Sequence, residues 1–285
     1  MASRYWVGGS GNWSDTAHWS ASSGGAGGAP VPGSTDDAIF DANSFSAPGQ
    51  AVTLSGTAVC GSLNTAAVSN GPTVQNNGSP QTFHIYGNCV LSPSMTINSG
   101  LAIAFYGGGL GQTIDLGGHN FTNGVAVNPG AGGSYSLAGE VVTSGDFSMS
   151  NGVLDTNGYN ISCGGFYLVP GTSGTVNAGG SVITVNGHFG VGGTGYTFNA
   201  GTSRIVMTLG NRNFSGGGQS YHTVELVGSP ITVQGSNTIN TLLLTSGKTV
   251  KFTSGTTQNI TSLTASGATI QATTAGSAAT LSRAS

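Results

Sequence analysis

A short pattern recurs along this chain, and the interval between its copies restricts the fold more than any other feature of the sequence. The residues around Asp115 match those around Asp155, an interval that fits two repeats of about 20 residues each. Near the end of the chain, the Ser-Gly pair at 246–247 recurs at 266–267, which is a single repeat of that length. Such a repeat is typical of solenoids, in which each unit contacts only its neighbours. We therefore predict a stack of similar coils, some of them unequal in length.

Inside each repeat, apolar residues alternate with polar ones. This is the pattern of a β-strand with one buried face, and Phe83 and Ile85 are one example. The alternating runs are short and are separated by turn pairs such as Asn157-Gly158, because Asn and Gly adopt positive φ at low cost. No segment keeps the period of a helix. We therefore expect almost no helix.

Two all-β architectures are compatible with short strands and tight turns. Asn-Gly pairs also favour antiparallel hairpins, and regular hairpins would build a sandwich or a barrel. The repeat lacks matched pairs of adjacent strands, which favours parallel strands that pair from one coil to the next at about 4.8 Å. The predicted fold is an all-β parallel β-helix, or β-solenoid, with about 20 residues per coil. It covers residues 52–285 and is preceded by an N-terminal cap segment over residues 1–51.

The chain is poor in charge but not in apolar residues. Charged residues make up 5% of it and hydrophobic residues 37%, and the formal net charge is −3, so disorder is not expected. The six Lys and Arg residues are scattered, and nucleic acid is therefore not an expected partner. No apolar run approaches the roughly 20 residues that span a bilayer, and residues 1–11 lack the apolar stretch of a secretory signal. We expect neither membrane insertion nor a signal peptide.

The cap segment differs from the rest of the chain because it contains all three tryptophans, Trp6, Trp13 and Trp19. A solenoid exposes the edge and the open core of its first coil, and natural proteins cover such edges. We predict that the tryptophans form an aromatic cap, and the alternative is an aromatic platform that binds a sugar. Leu281 is the last large apolar residue of the sequence, which predicts an uncovered edge at the other end.

The motif of the cap segment resembles the start of many β-solenoid surface proteins. It consists of Trp6–Trp13, Trp19 and Pro32–Phe40, and it is similar to the opening of some autotransporter passenger regions. It is more similar to tail-fibre-like and other virion proteins of tailed bacteriophages. Three later segments are similar to repeats of the same phage proteins: 198–206, 214–221 and 238–244. The resemblance covers nearly the whole chain and implies a role on the virion surface, but its motifs are structural and imply no particular chemistry.

Parallel β-helices include enzymes that cleave polysaccharides, and Asp115 and Asp155 are the strongest catalytic candidates. Equivalent positions two coils apart would place them about 9.6 Å from each other, near the upper end of the roughly 6.5–9.5 Å of inverting glycosidases. Each Asp, however, leads into a glycine-containing turn, where Asp commonly bonds its own backbone. No Lys or Arg lies between Arg4 and Arg204 to bind an acidic sugar. We predict that the pair serves the turns, that no residue is catalytic and that the protein is not an enzyme.

The sequence offers little for a metal or a cofactor, and we expect neither. Asp36, Asp37 and Asp41 form the one carboxylate cluster, but Ca²⁺ takes about six to eight oxygens, and an ordering role in their loop is the favoured interpretation. His119 and Tyr159 occupy equivalent turn positions. Together with the three tryptophans they are the candidate binding residues.

The cysteines, Cys60, Cys89 and Cys163, cannot all pair with one another, and none has CxxC spacing. We predict buried thiols packed between coils, since a free cysteine behaves as a small hydrophobic residue.

Three functions of different classes are compatible with this sequence. The first is a non-enzymatic structural protein of a phage virion, located on the particle surface as a tail fibre, tail-surface or capsid-decoration component. Its expected partners are other virion proteins and further copies of the chain, with a host-surface glycan as a candidate. The alternatives are a secreted bacterial adhesin passenger domain and a glycan-cleaving β-helix enzyme.

Overall fold

The computed structural model describes residues 2–283 and shows an all-β parallel β-helix with about 22 residues per turn. The only helical segment in these residues is a single 3₁₀ turn at Thr16–His18, so the predicted fold class is confirmed. The chain forms two compact units, one ending at Gly145 and the other beginning at Asp146. Within residues 2–283 there is no helix long and apolar enough to cross a bilayer.

Short strands build the first unit: β1 (Ser3–Trp6), β2 (Gly11–Asn12), β3 (Trp19–Ser20), β4 (Asp37–Ile39), β5 (Ala51–Leu54), β6 (Ala58–Cys60), β7 (Leu63–Asn64), β8 (Thr73–Asn76), β9 (Gln81–Ile85), β10 (Cys89–Val90), β11 (Thr96–Ile97), β12 (Leu101–Phe105), β13 (Gln112–Asp115), β14 (Val125–Val127), β15 (Ser134–Leu137) and β16 (Val141–Val142).

Strands of successive coils in this unit pair in three sheets, with the orders β3-β1-β4-β7-β10-β13-β15, β2-β5-β8-β11 and β6-β9-β12-β14. The pairs are parallel, apart from the antiparallel pair β1–β3 at one edge. Val52 lies beside Val74, so this coil has the average length of about 22 residues. Strands from three sides of each coil therefore enclose the core.

The second unit is built in the same way from β17 (Phe147–Met149), β18 (Val153–Asp155), β19 (Ile161–Cys163), β20 (Phe166–Leu168), β21 (Gly174–Asn177), β22 (Val182–Val185), β23 (Phe189–Val191), β24 (Tyr196–Asn199), β25 (Arg204–Met207), β26 (Arg212–Ser215), β27 (Ser220–Leu226), β28 (Ile231–Gln234), β29 (Thr238–Leu244), β30 (Thr249–Phe252), β31 (Thr257–Thr264), β32 (Thr269–Ala272) and β33 (Thr280–Arg283).

Its strands pair in parallel in the orders β17-β20-β23-β26-β28-β30-β32, β18-β21-β24 and β19-β22-β25-β27-β29-β31-β33. Coil length varies within the unit. Phe147 lies beside Phe166, and Phe189 lies beside Phe214. More residues separate the second pair along the chain than the first. The paired strands keep their register while the corner loops absorb the difference, which is why the repeat is irregular in sequence.

Alternation within the strands determines which side chains form the core. In β25, Ile205 and Met207 are buried, whereas Arg204 is exposed. Tight corners allow the chain to turn back, and Asn157 adopts a φ of 50° at one of them, followed by Gly158 at 81°. The short runs and Asn-Gly pairs thus act as predicted from the sequence.

The N-terminal segment contributes strands to the same sheets as the coils that follow. β1 pairs with β4, and β4 pairs with β7, while β2 pairs with β5. The predicted boundary between the cap segment, residues 1–51, and the solenoid, residues 52–285, falls inside the first unit. This division stays a prediction.

The three thiols are buried, and Cys60, Cys89 and Cys163 are free. Burial, reinforced by the Asp146 carboxylate, raises the pKa of Cys163 to about 12. The thiols therefore remain protonated at neutral pH and pack as small apolar side chains.

Candidate functional site

Asp115 and Asp155 each close a turn of their own backbone. Asp115 Oδ1 accepts a hydrogen bond from the Gly117 N–H at 2.9 Å, and Asp155 Oδ1 accepts one from the Asn157 N–H at 2.7 Å. Asp115 belongs to the first unit and Asp155 to the second. Both carboxylates thus have the turn geometry expected of an Asp before glycine.

The carboxylates of the cap segment are engaged in the same manner. Asp36 accepts from the backbone N–H groups of Ala2 and Gly33 at 3.3 and 3.2 Å, and Asp41 accepts from Asn43 N at 2.9 Å. Among residues 2–283, no group of three or more His, Cys, Asp or Glu side chains is placed to hold a metal ion. These bonds order the chain on both sides of Phe40, as the ordering interpretation predicts.

The three tryptophans form one buried cluster. The Trp6 and Trp19 ring centroids are 5.2 Å apart, those of Trp13 and Trp19 are 4.9 Å apart, and both contacts are edge-on. Trp6 and Trp19 donate their indole N–H groups to backbone carbonyls at 2.7 Å. Phe40 packs against all three rings. Their burial favours the capping role; the sugar-platform alternative stays a hypothesis and requires the rings to be uncovered.

A histidine ring accounts for Gly11 and also borders Gly8, two of the glycines between the first two tryptophans. His18 stacks on Trp6 with centroids 4.9 Å apart and planes 10° apart. A Cβ atom at Gly11 would lie 2.1 Å from His18 Nε2, and Gly8 adopts a φ of 79°. The glycine-rich motif is therefore part of the packing of the aromatic cluster.

His119 and Tyr159 lie in different units. His119 Nε2 is 2.9 Å from the carbonyl oxygen of Ser92 and is half-buried. The Tyr159 ring is 37% exposed, and its backbone N–H donates to the Thr156 carbonyl at 2.9 Å. Their role as binding residues stays a prediction.

A second aromatic cluster, which the sequence reasoning missed, lies on the outer face of β9 and β12. We call it the outer aromatic cluster and define it as His84, Tyr86 and Tyr106. The His84 and Tyr106 centroids are 4.9 Å apart, and those of Tyr86 and Tyr106 are 5.8 Å apart. Tyr86 is 37% exposed. The alternation of inward and outward residues could have indicated it, because each of these three residues is next in sequence to an inward-facing Ile85 or Phe105.

A cleft of about 370 Å³ adjoins this cluster. Tyr86 forms one side of it, and hydroxyl and amide side chains form much of the rest, including Ser62, Asn88 and Gln112. A smaller cleft of about 300 Å³ shares Ser62 and Asn88 and also includes Asp37. The larger cleft places hydrogen-bonding groups next to the exposed Tyr86.

In the second unit, Tyr167 also lies on the outer surface, but here charged side chains, Asp146 and Arg212, are close to the ring. A Cβ atom at Gly165 would lie 2.4 Å from the Tyr167 ring, so glycine makes room for it. Asp146 Oδ1 accepts a hydrogen bond from Gly165 N at 2.8 Å. Burial and, to a smaller extent, Asp146 raise the pKa of Tyr167, while Arg212 lowers it. The phenol is therefore protonated at neutral pH and is not a ready base.

The last strands of the second unit leave apolar side chains in contact with solvent. Leu263, Ile270 and Leu281 are all exposed. Leu263 and Leu281 line an open depression of about 230 Å³. The edge expected near Leu281 is thus apolar and accessible among the described residues.

No family model matches this chain, and no curated protein or solved structure is measurably similar to it. By its fold the chain is a parallel β-helix, an architecture that occurs in enzymes and in non-enzymatic proteins.

Proposed function

We propose that this protein is a non-enzymatic structural protein on the surface of a tailed-phage virion, where it contacts other virion proteins and a host glycan. It acts as a tail-fibre, tail-surface or capsid-decoration component. The observation that carries the non-enzymatic part of the proposal is the use of Asp115 and Asp155 in turns. Each carboxylate orders the backbone of its own turn, whereas a glycosidase needs two carboxylates that act on one substrate in opposite roles.

The virion location rests on the resemblance of the cap motif to phage virion proteins, and the packing of that motif supports a structural role. Its tryptophans and glycines build a cluster that terminates a sheet through the antiparallel pair β1–β3. Covering a sheet edge prevents uncontrolled pairing with other chains, which matters for a protein held at high local density on a particle.

The surface composition supports contact with glycans and with neutral protein surfaces. Charged residues make up 5% of the chain, and the outward positions of the coils are rich in Ser, Thr, Asn and Gln. Hydroxyl and amide groups donate and accept hydrogen bonds without a net charge, which suits the hydroxyl groups of sugars.

Purified phage particles test the location directly. The protein should be detected in them by mass spectrometry and should be seen at one site on the particle by immunogold labelling. Its absence from purified particles would overturn the virion proposal. Labelling on the bacterial surface instead would favour the adhesin alternative.

Incubation with host polysaccharides tests the non-enzymatic part. The wild-type protein should leave the chain length of each polysaccharide unchanged, as measured by size-exclusion chromatography. Depolymerisation that is lost in Asp115→Asn or Asp155→Asn would show instead that the protein is a glycan-cleaving enzyme.

A further inference from the structure

We propose that the outer aromatic cluster and the adjoining larger cleft form a binding site for an uncharged, hexose-containing oligosaccharide. The proposal rests on the glycan contact proposed above and gives it a place and a ligand class. The site lies within the first unit and includes none of the binding candidates recognised in the sequence.

The rings of this cluster are not needed to fill the core. In β9, Phe83 and Ile85 point inward and are buried, and His84 between them points outward. Tyr86 and Tyr106 directly follow the inward residues Ile85 and Phe105. Tyr86 is exposed, and His84 and Tyr106 are half-buried, so the cluster keeps part of its apolar surface in water. Such surface marks sites of interaction.

Small residues lie in register with His84 on the outer face. His84 lies in register with Ala104 on β12, and Ala104 lies in register with Ala126 on β14. Ala104 is only 4% exposed although alternation places it outward, so neighbouring side chains on the outer face cover it. The small side chain of Ala104 therefore lets the side chains of the outer face pack close to the sheet.

The backbone of Tyr86 is held on two sides, and its ring contacts Tyr106. Its carbonyl oxygen accepts a hydrogen bond from Gln112 Nε2 at 2.8 Å. A Cβ atom at Gly107 would lie 2.0 Å from the same oxygen, so only glycine permits this approach. A side chain carried on an ordered backbone loses less conformational entropy when it binds a ligand.

The polar groups beside the ring match the hydroxyl groups of a sugar. Gln112 lines the cleft, and the buried Oε1 of its amide has no hydrogen-bond partner among residues 2–283. Ser62 and Asn88 add a hydroxyl and an amide. A pyranose presents C–H groups on its face and hydroxyls at its rim, so that aromatic rings and neighbouring amides bind the two parts together.

The neutrality of the site favours an uncharged ligand. Burial lowers the pKa of His84, so its imidazole is neutral at pH 7. The carboxylate in the adjacent smaller cleft, Asp37, already accepts a hydrogen bond from Ser62 N at 3.2 Å, and it would repel an acidic sugar. The cleft thus offers hydrogen bonds without a cation that would select uronic or sialic acids.

The test uses immobilised oligosaccharides of glucose, galactose and mannose, with a matched set that carries uronic or sialic acids. The full chain should bind at least one neutral oligosaccharide and prefer it to its acidic counterpart. The dissociation constant for that oligosaccharide is then measured by titration calorimetry for Tyr86→Ala, Tyr106→Ala and Tyr106→Phe. The alanine variants should bind at least about tenfold more weakly, and Tyr106→Phe, which keeps the ring, should stay within about threefold.

The matched control is Tyr159→Ala, because Tyr159 is also 37% exposed but lies in the second unit. It should bind as the wild type does. Fluorescence of the buried tryptophans checks that the first unit of each variant is folded. As a direct readout, the oligosaccharide should shift the imidazole NMR signals of His84 and leave those of His188 unchanged.

Unchanged binding by Tyr86→Ala and Tyr106→Ala would overturn the site, while the glycan contact of the proposed function would stand. A loss confined to Tyr159→Ala would place the site in the second unit instead. Failure of the wild-type chain to bind any neutral oligosaccharide, or binding of acidic ones alone, would overturn the inference. The detection of the protein in purified particles is independent of all these outcomes, so the virion proposal is tested separately.

Discussion

The ring of Phe189 lies nearly parallel to the ring of Phe214, with centroids 4.9 Å apart and planes 11° apart. Two further rings extend the stack: Phe166 faces Phe189 at 5.2 Å, and Phe147 faces Phe166 at 5.3 Å. The four residues occupy one register position in successive coils of the second unit. The two inner rings, Phe166 and Phe189, therefore contact the coils before and after their own, and the column links the stability of these coils.

Phe189→Ala should destabilise the protein by about 3–5 kcal/mol, because it removes a buried ring and leaves a cavity in the column. Urea denaturation gives the free energy of unfolding. Phe189→Leu is the matched control and should cost less, since it restores much of the volume. A loss below about 1 kcal/mol in Phe189→Ala would contradict the role assigned to the column.

Gly11→Ala should disturb the aromatic cluster of the cap segment, because the new methyl group would overlap the His18 ring. We expect a loss of about 1–3 kcal/mol and a change in tryptophan fluorescence as His18 moves away from Trp6. Gly56→Ala is the control, since a Cβ atom there would meet nothing within 4 Å. Equal melting temperatures and spectra for the two variants would count against the proposed packing.

Asp155→Ala should lower the free energy of unfolding by about 0.5–1.5 kcal/mol, because the Asn157 N–H loses its acceptor. Asp155→Asn keeps a side-chain oxygen at the same place and should be nearly as stable as the wild type. Thermal unfolding of both variants tests this. Equal destabilisation by Asn and Ala would indicate that the negative charge, rather than the turn bond, is what stabilises the fold.

Cys60, Cys89 and Cys163 should resist thiol reagents at pH 8 in the folded protein and react once urea unfolds it. Burial raises the pKa of each thiol, to about 12 for Cys163, and the thiolate is the reactive form. The thiol of the unfolded chain ionises near pH 8.5, whereas the buried thiol stays protonated. The buried thiol's contribution to the free energy of unfolding is therefore complete below about pH 8.5 and is lost as the pH rises toward 12. Denaturation at pH 8 and pH 10 should show this fall, with a smaller slope in Cys163→Ala. Rapid labelling of the folded protein would contradict it.

Much of the fold could be predicted from local sequence. Alternation at Phe83 and Ile85 indicated which side chains are buried, and Asn157-Gly158 indicated a corner with positive φ. The turn role of Asp155 was also readable, because a short acidic side chain before such a corner bonds its own backbone. Coil length was estimated as about 20 residues instead of about 22, because the corner loops vary and the repeat near the end of the chain, where Thr249 pairs with Thr269, came from a short coil.

The outer aromatic cluster was not predicted, for a physical reason. Tyr86 and Tyr106 are separated by most of a coil along the chain and become neighbours only because β9 and β12 pair in a particular register. Nothing in the local sequence of either tyrosine indicates the other. The same holds for Gln112, whose amide reaches the Tyr86 carbonyl from a later strand.

The sequence by itself determined what depends on neighbouring residues: short strands, their inward faces, glycine and asparagine corners, and Asp115 and Asp155 as turn residues. Only the tertiary structure decided what depends on register between coils. It buried Trp6 beneath His18, aligned Phe189 with Phe214, and brought His84 and Tyr106 together on an open face. Periodicity within a strand is a local property of the chain, whereas contacts between coils depend on loop lengths that add up along it.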